Sequence, residues 1–512
     1  MVPQTTRHGL PTETLSNGMD IVLNFFYAYL PQAPVSTAAS LCCAAATDSA
    51  DRVSRLPEDL LRHVVSFLPA KDGARTTVLS SRWRHLWRSA PLILVDTHLL
   101  PRGDSERRPA RAGKDSRAVT NAVSAALEAH PGPFPFASLT CSFMVDADYG
   151  LLARWFQLLA IKGVHELVFV NRPSPLPDLH LPSAIFSCAS LRRLCIGAWV
   201  LPDTAALRRR AAFPNLRELL LGCVVMEDND LEFVLAVSPV LEILTVTGSL
   251  NPLRARLTNH SLRCVQFSLS IMKEIAVVDT QNLERLLLWK NWNERHGLSN
   301  IITTVEIGHV PKLRVLGYLE PGVHLLQIGN TIIKAGTKAS THTTVPSIQM
   351  LAVQLQFGFC GEVEMLPSFL RCFPSVETLV VESRAHREIL SNVSLKIFRE
   401  TSLIECVRSH LKILAFHELQ GNHNEFDFLM FVAENAWRLE RVFIMVKSKL
   451  SYAERQVVVA GVGILYSANW ASRDCNVQYK ISSYPVGAGT WGLRSVSDLS
   501  LDDPFEAFRG VE

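Results

Sequence analysis

The segment LRELLLGCVV, residues 216–225, decides the fold because the spacing of its leucines recurs along most of the chain. Apolar residues stand at its first, fourth and sixth positions, which here are Leu216, Leu219 and Leu221. The other segments with this spacing begin at Val164, Leu191, Leu241, Leu262, Leu283, Leu313, Ile348, Val376, Leu411 and Leu439. Such self-similarity indicates a repeat architecture, in which each unit buries its apolar face against its neighbours.

The period of the pattern identifies the kind of repeat. First positions run from 164 to 439, so ten intervals average 27.5 residues, within the range of roughly 20 to 29 residues of leucine-rich repeats. Single intervals vary from 21 to 35 residues, which predicts an irregular array. Several phrases follow an amphipathic helical pattern, as in FVLAVSPVLEILTV at 233–246. The predicted fold is α/β, an irregular leucine-rich-repeat solenoid or horseshoe built from helix-and-strand units.

Binding on such a fold belongs to the residues between the core positions, because neighbouring residues of a strand point to opposite faces. Many of these alternating residues are apolar, and six of them form a candidate substrate-binding surface on the concave face. They are Leu287, Trp289, Leu319, Met350, Phe443 and Met445. Contiguous apolar surface of this kind is rarely left in water. Two alternatives remain open: a protein segment or small ligand docks there, or another part of the same chain covers it.

Residues 54–89 predict a separate module of three short helices. The first begins at Pro57, whose fixed φ suits a first helical turn, and ends at Leu68 before a second proline. Its apolar face is formed by Leu60, Leu61, Val64, Val65 and Leu68.

The remaining two helices of this module differ in how strongly the sequence specifies them. The second, around Lys71 to Val78, is weakly specified because it contains Gly73. The third has Ser80 as its N-cap and places Trp83 and Trp87 on one edge. A module of 36 residues is too small to bury two tryptophans and its aliphatic side chains alone. The surplus apolar surface implies a partner, either the repeat region or a separate protein.

The module contains the segments LPEDLLRHVVSFLP at 56–69 and RTTVLSSRWRHLW at 75–87. Together these segments closely resemble the F-box of plant F-box proteins. The resemblance implies that the module docks on the Skp-type adaptor of a Skp–cullin–F-box ubiquitin ligase, while the rest of the chain chooses the target protein. The residues at matching adaptor-binding positions are Leu56, Pro57, Leu60, Leu61, Val64, Leu68, Val78, Leu79, Trp83 and Trp87. Gly73 departs from the helix-forming residue common in the family, which affects only the second helix.

A second resemblance lies near the C-terminus. Residues 404–440 resemble the FBD region that closes many plant F-box and leucine-rich-repeat proteins, and SDLSLDDPF at 497–505 resembles the ending of grass members. The matching FBD residues are Glu405, Cys406, Leu411, Lys412, Gly421, Glu425, Phe426, Phe431, Ala436, Leu439 and Glu440. The predicted domains are an F-box at 51–90, a linker with a helix at 91–133, leucine-rich repeats at 134–400, an FBD-like region at 401–480 that continues and caps the repeats, and a tail at 481–512.

Residues 1–50 lie outside both resemblances. MDIVLNFFYAYL at 19–30 is shorter than the roughly 20 apolar residues that span a bilayer, so no membrane association is expected. The region is interpreted as a disordered extension or as the result of a faulty start site.

Composition and motifs exclude several classes of function. The chain has 51 basic and 48 acidic residues and a net charge of +3, so it has no overall positive potential that would attract nucleic acid. The three arginines Arg82, Arg84 and Arg88 on one helix do not change this interpretation. Its 11 cysteines are scattered, without CxxC or His/Cys spacing, which favours a reducing cytoplasm or nucleus and predicts no metal and no cofactor. No framed nucleophile or carboxylate pair stands out, so no catalytic residue is predicted and the chain is not expected to be an enzyme.

These observations predict the substrate-recognition subunit of a Skp–cullin–F-box ubiquitin ligase. Its expected partners are the Skp-type adaptor, cullin through that adaptor, and a target protein that the sequence does not identify. The alternative is a leucine-rich-repeat scaffold or protein-binding module that does not serve a ligase.

Overall fold

The computed structural model describes residues 12–35, 53–99, 116–141, 144–171, 179–205, 207, 212–249, 251–289, 302–338, 340–384, 404–448, 450–481 and 493–506. The chain divides into two compact units between Asn251 and Pro252. Most of the charged stretch 102–117 and the arginines at 208–210 lie outside the described residues.

The first unit begins with helices and continues as a parallel sheet. Its helices are α1 (Thr12–Tyr29), α2 (Glu58–Ser66), α3 (Ala70–Arg75), α4 (Ser81–Ser89), α5 (Ser116–Ala129), α6 (Tyr149–Ile161) and α7 (Asp228–Ala236). Its strands are β1 (Ile93–Val95), β2 (Phe136–Leu139), β3 (Glu166–Val170), β4 (Arg193–Gly197), β5 (Glu218–Gly222) and β6 (Ile243–Thr247). They pair in chain order, each parallel to the next. The helix predicted within the linker at 91–133 is present as α5.

The leucine spacing that predicted the repeat corresponds to a stacked core. Each strand is in register with the next, so the fourth position of one phrase lies beside the fourth position of its neighbour. Leu167, Leu194, Leu219 and Leu244 form such a row, and all are buried. Burial of each leucine contributes about 1.5 to 3 kcal/mol, most of which offsets conformational entropy.

The second unit contains a parallel sheet of the same kind. Its strands are β8 (Cys264–Ser268), β10 (Arg285–Trp289), β12 (Val315–Leu319), β15 (Met350–Leu355), β16 (Thr378–Ser383), β17 (Ile413–Leu419), β18 (Arg441–Val446) and β19 (Asn476–Ile481). Its helices are α8 (Cys360–Cys372), α9 (Glu405–Ser409), α10 (His423–Asn435), α11 (Tyr452–Tyr466) and α12 (Leu493–Ser497). Every repeated phrase found in the sequence forms a strand of one of these parallel sheets, which confirms the predicted fold class.

A separate five-stranded sheet in the second unit was not predicted from the sequence. It consists of β7 (Leu253–Leu257), β9 (Met272–Asp279), β11 (Thr303–His309), β13 (His324–Ile328) and the antiparallel β14 (Thr331–Ile332). The signal was present, because Arg254 and Arg256 are exposed between buried residues in strict alternation. Over this part of the chain, strands therefore take the place of the helices that the repeat pattern predicts.

The predicted inward orientation of Leu319 is wrong. Leu316 pairs with Leu351 and Leu319 with Val353, so β12 has one more residue than β15 over this interval. This bulge gives Leu319 the same face as Val353, which occupies a core position. Tyr318, the residue before Leu319, lies beside the C-terminal segment, and its ring centroid is 6.1 Å from that of Phe505.

Residues 12–29 form α1, so the expectation of a disordered extension does not hold for this part of residues 1–50. Met19, Val22, Leu23 and Phe26 form an apolar stripe along the helix, and all four are buried. The stripe packs on the inner face of the first sheet, where Phe26 lies over Gly197 and Gly222. No helix within the described ranges is both long and apolar enough to cross a membrane.

Candidate protein-docking site

The three-helix module predicted near the front of the chain is present. Pro57 precedes α2, and the acidic first turn of α2 pairs with Arg62 through Glu58 at 2.5 Å and Asp59 at 3.4 Å. The weakly specified second helix is short, since α3 ends at Arg75 and continues as one 3₁₀ turn. A third helix, α4, follows Ser80, whose extended backbone gives a sharp start although its side chain makes no capping hydrogen bond.

The core of this module includes one of the two tryptophans. Trp83 is buried, and it belongs to a cluster formed by Leu61, Val65, Trp83, Leu86 and Ala90. Its indole Nε1 donates to Ser54 Oγ at 3.2 Å. The prediction that Leu61 and Trp83 offer docking surface is therefore wrong, because α2 and α4 enclose both side chains. They support the shape of the module from inside.

Several apolar side chains of the module remain exposed and form a candidate docking face. Leu60 is 50% exposed, Leu79 is 63% exposed and Val78 is 84% exposed. Pro57 and Val64 are also exposed, whereas Leu56 and Leu68 are half-buried. The docking face is defined here as Pro57, Leu60, Val64, Phe67, Val78 and Leu79. Exposed apolar side chains grouped on so small a module are typical of a protein-binding surface.

Phe67 belongs to the docking face, although it was not predicted from the sequence. It is 49% exposed, and its ring lies edge-on to His63 with centroids 4.7 Å apart. The signal was available, because Leu60, Val64 and Phe67 follow the helical spacing i, i+4, i+7.

Trp87 packs on the linker of the same chain instead of facing outward. Its ring packs edge-on against His130 at 4.8 Å, and His130 Nε2 lies 2.8 Å from the Trp87 carbonyl oxygen. Lys162 donates to the carbonyl of His130, and burial lowers the pKa of that imidazole. The apolar surface that the module cannot bury by itself is thus of two kinds. Trp87 packs on the same chain, while the side chains of the docking face are exposed to solvent.

The apolar residues predicted for the concave face are largely covered. Leu287 and Trp289 are buried, and so is Phe443, while Met350 and Met445 are half-buried. Over β8, β10 and β12 the cover is the C-terminal segment 493–506, hereafter the tail. Its helix α12 packs against β8. Of the two alternatives, coverage by the same chain holds for this part of the face.

The FBD-like region forms two further repeat units of the second sheet. Between β17 and α10, the buried carboxylate of Glu425 accepts backbone N–H groups from Gln420 at 3.1 Å, Gly421 at 2.8 Å and Asn422 at 2.8 Å. The hydroxyl of Ser383 on β16 donates to the same carboxylate. Burial raises the pKa of Glu425, although these hydrogen bonds favour its charged form. Glu425 thereby fixes the turn that connects the last repeats.

Metal-ligating side chains are dispersed over the described residues. No group of three or more His, Cys, Asp or Glu side chains among them could hold a metal ion. Burial raises the pKa of Cys188, Cys372 and Cys406 to about 12, so these thiols are poor nucleophiles. The candidate site is therefore an apolar docking face on a helical module that is attached to the repeats.

Comparison with protein families assigns the same three parts. A model described as F-box domain matches residues 53–94, and one described as FBD matches residues 399–444. Between them, a model described as FBD-associated F-box protein At5g56370, LRR repeats, matches residues 152–381. The order predicted from the sequence, F-box, leucine-rich repeats and FBD, is confirmed.

Curated relatives from Arabidopsis thaliana extend the similarity over most of the chain. F-box/LRR-repeat protein 13 is 26% identical over 436 residues, which cover 77% of this chain and 90% of the relative. FBD-associated F-box protein At5g38590 is 25% identical over 411 residues, covering 77% and 93%. F-box/LRR-repeat protein At3g59200 is 33% identical over 205 residues, covering 39% and 37%.

Proposed function

We propose a function from the premise that the chain is a plant F-box/FBD/LRR-repeat protein. The protein is the substrate-recognition subunit of a Skp–cullin–F-box ubiquitin ligase. Its F-box binds the Skp-type adaptor, the adaptor connects it to cullin, and the repeat region binds the target protein.

The observation that carries this proposal is the docking face. Its apolar side chains lie on the outside of the module, and the interior of the module is already filled by Trp83 and Leu86. They are therefore not needed for the module's own core. A partner that covered Leu60, Val78 and Leu79 would remove exposed apolar area from water, which is the main driving force for association.

The proposed role is not catalytic. The subunit holds a target close to the ubiquitin donor, and its contribution to the reaction is proximity and orientation. We place it in the cytoplasm or the nucleus. Fluorescence imaging of the full chain with a fluorescent tag tests that placement, and a signal confined to secretory compartments would contradict it.

Co-purification of the full chain with a Skp-type adaptor tests the adaptor interaction. Leu60→Asp and Leu79→Asp each place a charge in the docking face, and each is expected to weaken adaptor binding by about tenfold or more. Val459→Asp on α11 is the matched control, because Val459 is 56% exposed and lies far along the chain from the F-box. Failure of the unchanged protein to bind, or equal weakening by all three variants, would overturn the proposal.

A second candidate function is a leucine-rich-repeat scaffold that binds partners without serving a ligase. The observation that favours it is the tail on the inner face of β8, β10 and β12, because the tail occupies surface that the ligase proposal assigns to a target. Cullin recruitment separates the two candidates. An adaptor complex of this protein that pulls down cullin supports the ligase subunit, and one that does not supports the scaffold.

A further inference from the structure

The tail binds the inner face of the second sheet through two buried side chains. Val496 on α12 is fully buried, and Cys264 Sγ of β8 donates to its carbonyl at 3.6 Å. Phe505 is 2% exposed, with its ring perpendicular to that of Tyr318. Apolar side chains at both ends of the tail are therefore inserted between the tail and the sheet.

Between these two anchors, a single arginine holds the tail backbone. Arg285 Nη1 donates to the carbonyls of Val496 at 2.7 Å, Asp498 at 2.9 Å and Ser495 at 3.4 Å, and Nη2 donates to Leu501 O. The carbonyls of Ser495 and Val496 lie in the last turn of α12, and Asp498 directly follows the helix. Carbonyls at the C-terminal end of a helix lack intrahelical partners and carry partial negative charge. Within the described residues, every side-chain hydrogen bond of Arg285 goes to the tail.

These contacts recognise backbone and shape more than a particular sequence. Carbonyl groups at the end of any helical turn could meet the guanidinium, provided that a small apolar residue and an aromatic residue stand at the right separation. Arg285 is 4% exposed, and within the described residues its guanidinium donates its hydrogen bonds to neutral carbonyls of the tail. The carboxylates of Glu284 and Asp498 act on it through coulombic attraction alone. A buried cation whose hydrogen bonds go only to neutral carbonyls keeps a substantial desolvation cost, and here the attraction of these two carboxylates offsets that cost only in part. A segment that brought acidic groups would suit this position, and the tail has Asp498, Asp502, Asp503 and Glu506 against one basic residue, Arg494.

We propose that the surface formed by Cys264, Arg285, Leu287 and Tyr318, hereafter the tail-binding surface, is the target-binding site, and that the tail is its displaceable intramolecular occupant. The target presents an acidic segment in which a short helical turn ends over Arg285 and an aromatic side chain reaches Tyr318. The inference rests on the proposed function for the identity of the partner. The tail thereby keeps the surface closed until such a target binds.

The test uses the full chain and a fluorescent peptide with the sequence of residues 493–506. Val496→Asp in the protein puts a charge at a fully buried position and is expected to release the tail. The peptide should then bind the Val496→Asp protein about tenfold or more tightly than it binds the unchanged protein. Adding Arg285→Gln to the Val496→Asp protein should remove that gain. Leu501→Asp is the matched control, because it adds the same charge at a side chain that is 40% exposed.

Hydrogen exchange of the unchanged full chain supplies the second measurement. Amides of the tail should exchange faster than those of β8 and β10, because a displaceable segment opens without unfolding of the sheet. Exchange of the tail amides at the same rate as those of β8 and β10 would overturn the proposal. Peptide affinity that does not change with Val496→Asp or with Arg285→Gln would also overturn it. No adaptor is present in either experiment, so failure here is distinguishable from failure of the F-box to dock.

Discussion

Phe26 of α1 lies directly over Gly222 of β5, where a Cβ atom would come within 2.6 Å of the phenylalanine ring. Gly197 on the neighbouring strand faces the same ring, at 3.0 Å. Both glycines are needed for the close approach of α1, because any larger side chain would occupy the space of the ring. The inner face of the first sheet is thus shaped to receive a helix of its own chain.

Gly222→Ala should weaken the packing of α1. The added methyl group forces the Phe26 ring away from β5, and overpacking of this kind costs about 1 to 3 kcal/mol. Limited proteolysis between residues 12 and 35 and thermal unfolding measure the effect. Gly463→Ala on α11 is the control, since a Cβ there meets nothing within 4 Å and should stabilise the helix by about 0.5 to 1 kcal/mol. Similar losses in both variants would contradict the assigned role of Gly222.

Trp83→Ala and Trp87→Ala should affect the F-box in different ways. Loss of the buried Trp83 ring should destabilise the module by about 3 to 5 kcal/mol, so α2 and α4 lose protection in hydrogen exchange and adaptor binding fails with them. Loss of Trp87 should leave α2 protected but loosen the segment around His130, with adaptor binding largely kept. Adaptor binding that fails in Trp87→Ala while His130 stays protected would show that Trp87 contacts the adaptor directly.

Glu425→Gln should loosen the turn of the FBD-like region. A neutral amide has one acceptor oxygen, so some of the backbone N–H groups that Glu425 satisfies would lose their partner, at a cost of about 1 to 3 kcal/mol. Denaturant unfolding measures the change. Glu454→Gln is the matched control, because Glu454 caps exposed α11 through the Ser451 N–H at 2.7 Å and should cost less than about 1 kcal/mol. Equal costs at the two positions would argue against the role of burial at Glu425.

His324 should make the second unit less stable as the pH falls below neutral. Burial and the nearby Arg384 guanidinium lower the pKa of His324 from 6.5 to about 3, and its Nδ1 accepts the Glu320 N–H at 2.9 Å. The unfolded chain therefore takes up a proton near pH 6.5 that the native state excludes until about pH 3. The contribution of neutral His324 to the free energy of unfolding is fully present above pH 6.5. It is lost as the pH falls, by about 2 kcal/mol at pH 5.

Comparison with His324→Asn isolates this effect. Asparagine keeps an acceptor near the Glu320 N–H but does not titrate, so the variant should lose less stability between pH 7 and pH 5. Burial raises the pKa of Asp96 in the first unit to about 6, which favours the native state as the pH falls, and this contribution is common to both proteins. Parallel pH profiles of the two proteins in denaturant unfolding would contradict the prediction.

The leucine spacing was sufficient to predict the repeated strands, because one face of each strand is buried against the same kind of neighbour. It could not predict what covers the other face. The same chain supplies two of the covers, α1 and the tail, and neither has the repeat period. The apolar residues Leu287 and Trp289 were correctly identified as unsuited to water, but their spacing does not reveal whether a partner or the tail covers them.

The docking face could be predicted in part for a similar reason. Leu60, Val64 and Leu79 were identified by the F-box resemblance and are exposed. Leu61 and Trp83 were assigned with them, yet which apolar side chains a small module encloses depends on how α2 and α4 cross, and the sequence pattern does not give that crossing. Leu319 was assigned to the wrong face because a bulge adds one residue, and a shift of one residue reverses the orientation of a strand side chain.

The contact of Phe26 with Gly222 also has a consequence for synthesis on the ribosome. Translation makes α1 before β4, β5 and β6, which follow after roughly 170 to 220 further residues, and this takes about 10 to 40 s at 5 to 20 residues per second. During that time Met19, Val22, Leu23 and Phe26 have no sheet to pack on. The nascent chain therefore presents an amphipathic helix to the cell before its partner strands exist, and chaperone binding at α1 is expected to precede completion of the repeats.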